Sequence, residues 1–437
     1  MLHAGAARRD ISPEDSQFLF GYPHVERHST GIHDPLQSAA LCLKNGDHTL
    51  IFCSNDIIFV SKESVARIRR AVSAQTGVAE ADILVSATHT HSGPSTVDYL
   101  SGEADPVVPR VDPGYLRFME GRIAGACIEA AARLQPAEAG LAVADATGVG
   151  TNRRDPGGPM DPHVPVLMVR AASGGKAIAC MLLYSMHPTV LHEDSKLVSA
   201  DFPGMAREYL GGLLGGDCVV LYHTGPEGNQ SPRHVTRGNT FAEARRLGEM
   251  LGAAVAKVLP GIVYRGDLAL SSRRATTDFP RRVFPPVEAA EAKLAKAQRT
   301  FDALRNGGAP PQKTRTAECD LFGAEETVTL AKAANDGRIE AAYATCMPAE
   351  IQILEVGPWR YVGWPGEVFV EFGLQITERY PGTFVINLAN GEFQGYIVTE
   401  EAAREGGYEA SNALFDHSSG DVLVRATKGL IDRVPEP

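Results

Sequence analysis

The chain has 437 residues, a formal net charge of −11 and 44% hydrophobic residues, values ordinary for a folded globular protein. An acidic balance without any long Lys/Arg run excludes nucleic-acid and anionic-membrane partners, which need a basic footprint. The first ten residues carry Arg8, Arg9 and Asp10 where a secretory leader is apolar, and no stretch approaches the roughly 18 apolar residues of a membrane span.

These features predict a cytoplasmic protein with no stable membrane insertion. Its seven cysteines are odd in number, scattered and without a Cys-x-x-Cys pair, which fits reduced core thiols. Thr49–Cys53 reads as a strand, and Ser61 opens a helix with Val65, Ile68 and Val72 on one face and Gly77 as its stop. Ile83–Ala87 is the next strand. A helix near Tyr115–Leu134 and strands near Gly140–Asp145, Pro165–Arg170 and Ala177–Tyr184 follow. Cys218–His223 is a further short buried strand, and a helix runs from about Thr240 to Leu259.

Composition shifts at Arg273–Glu325, where prolines bracket an Ala/Lys/Glu-rich helix over Val287–Asn306. This reads as an excursion from the core, a lid or an oligomer arm, and a homo-oligomer is left open; a charged helix face is also simply a solvated one. Strands at Glu350–Val356 and Tyr361–Trp364, a helix over Glu367–Tyr380 and a strand at Thr383–Leu388 complete the series. Such alternation predicts an α/β fold, a mixed β-sheet core flanked by helices, in a single domain over 1–437 with 273–325 as a helical excursion.

The segment Val85–Pro94 is the most informative. An apolar strand runs into His89 and His91, which extended geometry places on one face, and a Ser-Gly-Pro turn follows. Two histidines at a strand end also serve as polar surface, but in α/β sheets the carboxyl ends of strands are where sites collect. Ala177–Tyr184 repeats the pattern, running into Ser185-Met186-His187-Pro188. In Tyr361–Glu367 a strand and a Pro-Gly turn lead to Glu367, which would sit in a first helical turn as a dipole partner or face the strand end. After Val220–His223 comes a polar loop, Gly225–Pro232, able to bind a carbonyl or to be a plain turn. Two histidines and a carboxylate with an open position make a catalytic zinc set, and the residues by themselves say nothing of the substrate.

Taken together, Thr88–Pro94, Asn152-Arg153, His187-Pro188-Thr189, Gly228–Pro232, Pro365–Glu367, Gly395-Tyr396 and Tyr408-Glu409, in that order after Asp10–Pro13, resemble the neutral (non-lysosomal) ceramidase superfamily of zinc amidohydrolases. The resemblance implies one zinc per chain, with ligands His89, His187, Glu367 and Tyr396. It places His91, Arg153 and Tyr408 around the scissile carbonyl and Ser231 at the family's essential serine. It implies hydrolysis of a non-peptide amide by metal-activated water. The chain stops soon after Tyr408, so the family's C-terminal immunoglobulin-like domain is not expected, and a small-molecule N-acyl amide smaller or more polar than ceramide is. Arg273-Arg274 and Arg281-Arg282 would suit a carboxylate on that substrate. The competing expectations are a zinc lactonase or esterase acting on an ester, and a non-catalytic zinc-binding assembly protein.

Overall fold

The computed structural model describes residues 1–23, 25–100, 105 and 107–433. Its main array contains β1 (His3–Asp10), β2 (Gln37–Asn45), β3 (His48–Asn55), β4 (Ile83–Ala87), β5 (Gln135–Asp145), β6 (His163–Ala171), β7 (Ala177–Tyr184) and β8 (Val219–Thr224). They hydrogen-bond in the order β8-β7-β6-β5-β1-β2-β3-β4, and only the outer pairs β3–β4 and β7–β8 are parallel. β5 meets β1 through just two residue pairs, so the array divides there into two four-stranded leaves.

Side-chain alternation explains why these strands read as continuous apolar runs. Along β2, Ala39, Leu41 and Leu43 enter a central core, while Ala40 and Cys42 point outward into a second one. β7 does the same with Ala179, Met181 and Leu183 inward and Cys180, Leu182 and Tyr184 outward. The central core therefore lies between the leaves. Helices α1 (Lys62–Thr76) and α2 (Pro113–Ala132) cover the outer face of one leaf through Val65, Ile68, Met119 and Ile123. Helices α3 (Asp201–Leu214) and α4 (Phe241–Val258) cover the other through Phe202, Met205, Leu247 and Leu251. The edges approach each other: Ser86 Oγ lies 2.8 Å from His223 Nδ1, and Thr224 Oγ1 donates to the Thr88 carbonyl at 2.9 Å. Consequently the carboxyl ends of β4, β7 and β8 converge.

A second sheet, β9 (Leu270–Thr277), β10 (Ala349–Val356), β11 (Trp359–Gly363) and β12 (Thr383–Ile386), adds Leu270, Leu354, Tyr361 and Ile386 to the central core. Between β9 and β10 the chain makes α5 (Val287–Asn306), α6 (Pro311–Asn335) and α7 (Ile339–Cys346). Ala290 of α5 packs with Val328 and Ala331, and Phe301 with Ala317 and Leu321, so α5 and α6 form an antiparallel pair. The helical excursion is thus longer than the predicted 273–325. Its first residues are strand, and Glu325 falls inside α6. All seven cysteines are buried and free. Among the described residues no helix is long and apolar enough to cross a membrane.

One buried acid fastens the loop that follows His187. Asp201, at φ 56°, opens α3, and its carboxylate accepts from the Val190, Leu191 and Phe202 amides. Burial raises its carboxyl to about 7 against the pull of the Leu191 amide. A folded value above the unfolded one means that the native state binds the extra proton between roughly pH 4 and 7. The stability gained is complete below about pH 4 and is lost as the pH rises through about 7. In urea unfolding across that range, Asp201→Asn is expected to lose less stability with rising pH than the parent. Identical slopes would reject the assignment.

Candidate metal centre

β4 ends at Ala87, and His89 takes a left-handed backbone, φ 70°, which costs on the order of 1–2 kcal/mol for a non-glycine residue. The Thr88 amide donates to the Asn55 carbonyl at 2.8 Å and the His89 amide to Ile57 at 3.0 Å, which hold the turn. Thr88 Oγ1 also donates to Asp56 at 3.1 Å, and Asp56 is clamped in turn by Arg207, Nη1 to Oδ1 2.6 Å. The His187 amide donates to the Gln230 carbonyl at 3.1 Å, so the strand end of β7 is tied to the serine loop.

Glu367 is not in a helical turn, contrary to the expectation above. It belongs to a two-residue strand, Glu367–Val368, lying parallel to Tyr396–Ile397, and the helix begins only at Val370. The reason is local: Gly366 is left-handed at φ 70°, and Phe369 stays extended as the helix cap. Registered neighbours in a ladder leave the same face, so Glu367 and Tyr396 stand side by side.

The donor atoms converge. His187 Nε2 lies 2.9 Å from Glu367 Oε2 and His89 Nε2 lies 3.3 Å from the same oxygen. His89 Nδ1 bonds the Ile58 carbonyl at 2.9 Å and His187 Nδ1 the Glu227 carbonyl at 2.8 Å. A carbonyl only accepts, so each Nδ1 carries the hydrogen and each neutral ring turns an Nε2 lone pair toward a carboxylate oxygen. Lone pairs facing one another in a buried space repel, and a cation between them would relieve that repulsion. The donor set, two imidazoles and a carboxylate, suits a divalent ion, and the backbone carbonyls fix the ligand tautomers. Burial, with Arg153 adding to it, lowers His187 to about 4, so its ring is available as a neutral ligand.

Two groups of donor atoms fall within 4.8 Å of one another: His89, His91 and His187, and His89, Glu227 and Glu367. Glu227 lies in the polar loop Gly225–Pro232 and was not singled out from the sequence. It is fully buried, and burial and then Glu367 push its carboxyl well above the usual range.

In front of the centre lies a cavity of about 930 Å3. His91, Arg153, Ser231, Tyr396 and Tyr408 all line it. His91 Nε2 is 3.3 Å from His89 Nε2, and burial, with His89 next, lowers its pKa well below the ordinary imidazole value. Arg153 is committed within the protein, donating to Glu409 at 2.7 Å and to the Gly228 carbonyl at 2.8 Å, with its guanidinium 5.3 Å from the Tyr396 ring and 5.9 Å from that of Tyr408. Ser231 pairs with Thr151 in a short antiparallel ladder, and its Oγ accepts from the Arg233 amide at 3.2 Å. All eight residues singled out from sequence are therefore brought to one place, three in the cation-facing layer and five on the cavity wall.

The far wall came as an addition. Tyr22, and Arg315, Cys319 and Phe322 of α6, face the cavity, and Arg315 is paired with Glu193 and Glu318 at 2.8 and 2.7 Å. The arginine pairs expected to bind substrate do not line it: Arg273 pairs with Glu355 and Arg281 with Glu340, each at 2.6 Å, and Arg282 donates to the Ser411 and Ala413 carbonyls.

Fold and site define a class: a layered α/β protein whose strand ends converge on a two-histidine, one-carboxylate centre. Over residues 2–211 the chain matches the family model described as neutral/alkaline non-lysosomal ceramidase, N-terminal. It is 22% identical to the neutral ceramidase of Mycobacterium tuberculosis (strain ATCC 25618 / H37Rv), over 95% of this chain and 74% of that protein. The crystal structure of neutral ceramidase from Pseudomonas aeruginosa superposes with a TM-score of 0.76 at 19% identity, covering 98% of this chain and 74% of that one. A structure described as ceramidase complexed with C2 gives 0.74 at 18% identity, covering 97% of this chain and 74% of that one.

Proposed function

We propose that this protein is a zinc-dependent amidohydrolase that cleaves a non-peptide N-acyl amide, with one zinc per chain. The observation that carries the reading is the pair of imidazole lone pairs aimed at one Glu367 oxygen at the floor of a cavity. The ceramidase family match over residues 2–211 and the similarity to a neutral ceramidase support the amide bond as the target. Bound there by His89, His187 and Glu367, with Tyr396 beside them, a zinc-class dication supplies Lewis-acid polarisation of the carbonyl and a water acidic enough to attack at neutral pH.

The chain's own residues supply the rest. His91, neutral and facing the cavity, is placed to take a proton and return it to the leaving amine. Tyr408 and Ser231 carry the hydroxyl groups that face the developing oxyanion, and Arg153, anchored by Glu409, stands beside both tyrosine rings on the cavity wall. Among the described residues no imidazole hydrogen-bonds Ser231 Oγ, which favours a hydrogen-bond donor over a nucleophile. The mixture of arginines, carboxylates and aromatic rings on the cavity wall favours a substrate more polar than a two-chain lipid amide.

The test is metal analysis of protein purified without added metal, with hydrolysis of matched amides and esters of one acyl group by the parent and Ser231→Ala. About one zinc per chain and preferential amide cleavage are expected. Ser231→Ala should keep the metal and lose about 100- to 1000-fold in turnover, the effect of one oxyanion donor. A trapped acyl-serine would overturn the donor role, and faster turnover confined to esters would make the protein an esterase.

A further inference from the structure

Glu227 poses a problem that the reading above leaves unsolved. The residue is fully buried, and among the described residues neither carboxylate oxygen reaches a hydrogen-bond partner, although Asn387 lies close enough to favour the charged form slightly. An isolated buried carboxylate is among the costliest groups a fold can carry, and proteins retain one when it is paired or holds a metal. No Lys or Arg forms an ion pair with it among the described residues; the donor atoms grouped with it are those of His89 and Glu367, all within 4.8 Å.

We infer that Glu227 is a further ligand of the cation, entering the centre from the side away from the cavity. The inference rests on the metal-dependent reading proposed above. Three observations support it besides the missing partner. First, Glu227 does not line the cavity, whereas His91 and Tyr396 do, so a ligand in its position leaves the substrate side open. Second, two carboxylates, Glu227 and Glu367, match the two positive charges of a divalent ion in a space that water does not screen, where side by side they would otherwise repel. Third, the loop is built to hold it still. A Cβ on Gly225 would meet Ser185 Oγ at 2.4 Å, and one on Gly228 would meet Phe369 and Val368 at 2.9 and 3.0 Å. The Glu227 carbonyl already orients His187, so one residue aims a neighbouring ligand with its backbone and contributes its own side chain.

The experiment titrates metal-free protein with zinc alone by calorimetry, and with cobalt(II) alone by visible absorption, in the parent, Glu227→Gln, Glu227→Asp and Glu367→Gln. Glu227→Gln is expected to bind zinc at least about tenfold more weakly, with a smaller zinc-induced rise in Tm and an altered cobalt spectrum, and Glu227→Asp to fall between it and the parent. An affinity within about twofold of the parent's and an unchanged spectrum for Glu227→Gln, alongside a clear loss in Glu367→Gln, would overturn the assignment of Glu227 and leave the hydrolase reading intact. A parent that takes up no zinc or cobalt would overturn both. Should Glu227→Gln fail to fold, Glu227→Asp decides: parent-like binding and spectrum reject the ligand, and a shifted spectrum with weaker binding supports it.

Discussion

Glu367→Gln is expected to lower amide hydrolysis at least about a thousandfold, equivalent to roughly 4 kcal/mol of transition-state stabilisation. The geometry gives the reason. One oxygen, Oε2, lies 2.9 Å from His187 Nε2 and 3.3 Å from His89 Nε2, so the negative charge opposite both lone pairs comes from this side chain. A carboxamide keeps the shape but withdraws the charge, and it can turn an N–H toward the imidazoles, filling the space that a cation needs. Folding should survive, since a neutral group at a 5% exposed position avoids the cost of burying a charge. Turnover, metal content and thermal unfolding measured on one preparation check this. A variant that keeps more than about a tenth of parental turnover with its metal bound would remove Glu367 from the centre.

The second large effect is on stability. Arg207 and Asp56 form a bidentate pair inside the protein, Nη1 to Oδ1 at 2.6 Å with Nη2 to Oδ2 beside it, and both residues are buried. Asp56 also accepts from the Gln37 amide at 2.8 Å and from Thr88 Oγ1, one residue before His89. Arg207→Met should cost about 3–5 kcal/mol, because it leaves a carboxylate without its counter-charge. Adding Asp56→Asn should recover part of that loss, the signature of a coupled pair. Urea unfolding of the two single variants and the double variant measures both quantities. Losses that simply add, or a single-variant cost below about 1 kcal/mol, would show that the pair holds nothing together. Because Arg207 sits in α3 and Asp56 just after β3, the pair ties opposite leaves at the turn that presents His89.

Much of this was legible from residues alone, and the parts that were not have physical causes. Strands β4 and β7 are buried on both faces, lead within three residues to a histidine and have no competing helical period, so Ile83–Ala87 and Ala177–Tyr184 were placed to the residue. Helix α5 announced itself through flanking prolines and composition. Its partner α6 did not. Its buried positions, Ala317, Leu321, Ala324, Val328 and Ala331, follow a 4-3-4-3 spacing, but three of these five are alanine, which gives little contrast in hydropathy. The two-residue strand at Glu367 is too short for any periodic signal, and its partner Tyr396 lies 29 positions further along. Tyr396, Arg153 and Tyr408 had no signal of their own and were placed only through the family pattern. Glu227 did carry a local signal, a lone acid between Pro226 and Gly228 directly after an apolar strand, but it became visible as a group member only once β8 was set beside β4.

The separation of the ligands along the chain has a consequence for how the protein comes into being. His89 follows the fourth strand, His187 the seventh, Glu367 comes only after the third strand of the second sheet, and Tyr396 after its fourth. No nascent chain shorter than about nine-tenths of the whole can close the ring of donors, and the pairings that close it are of the long-range kind that form slowly. The proposed metal centre is therefore among the last things that folding completes. During synthesis, a cation that binds early would meet His89 and His187 without Glu367 or Tyr396, and the full donor set, with the activity that depends on it, would come together in a single late step.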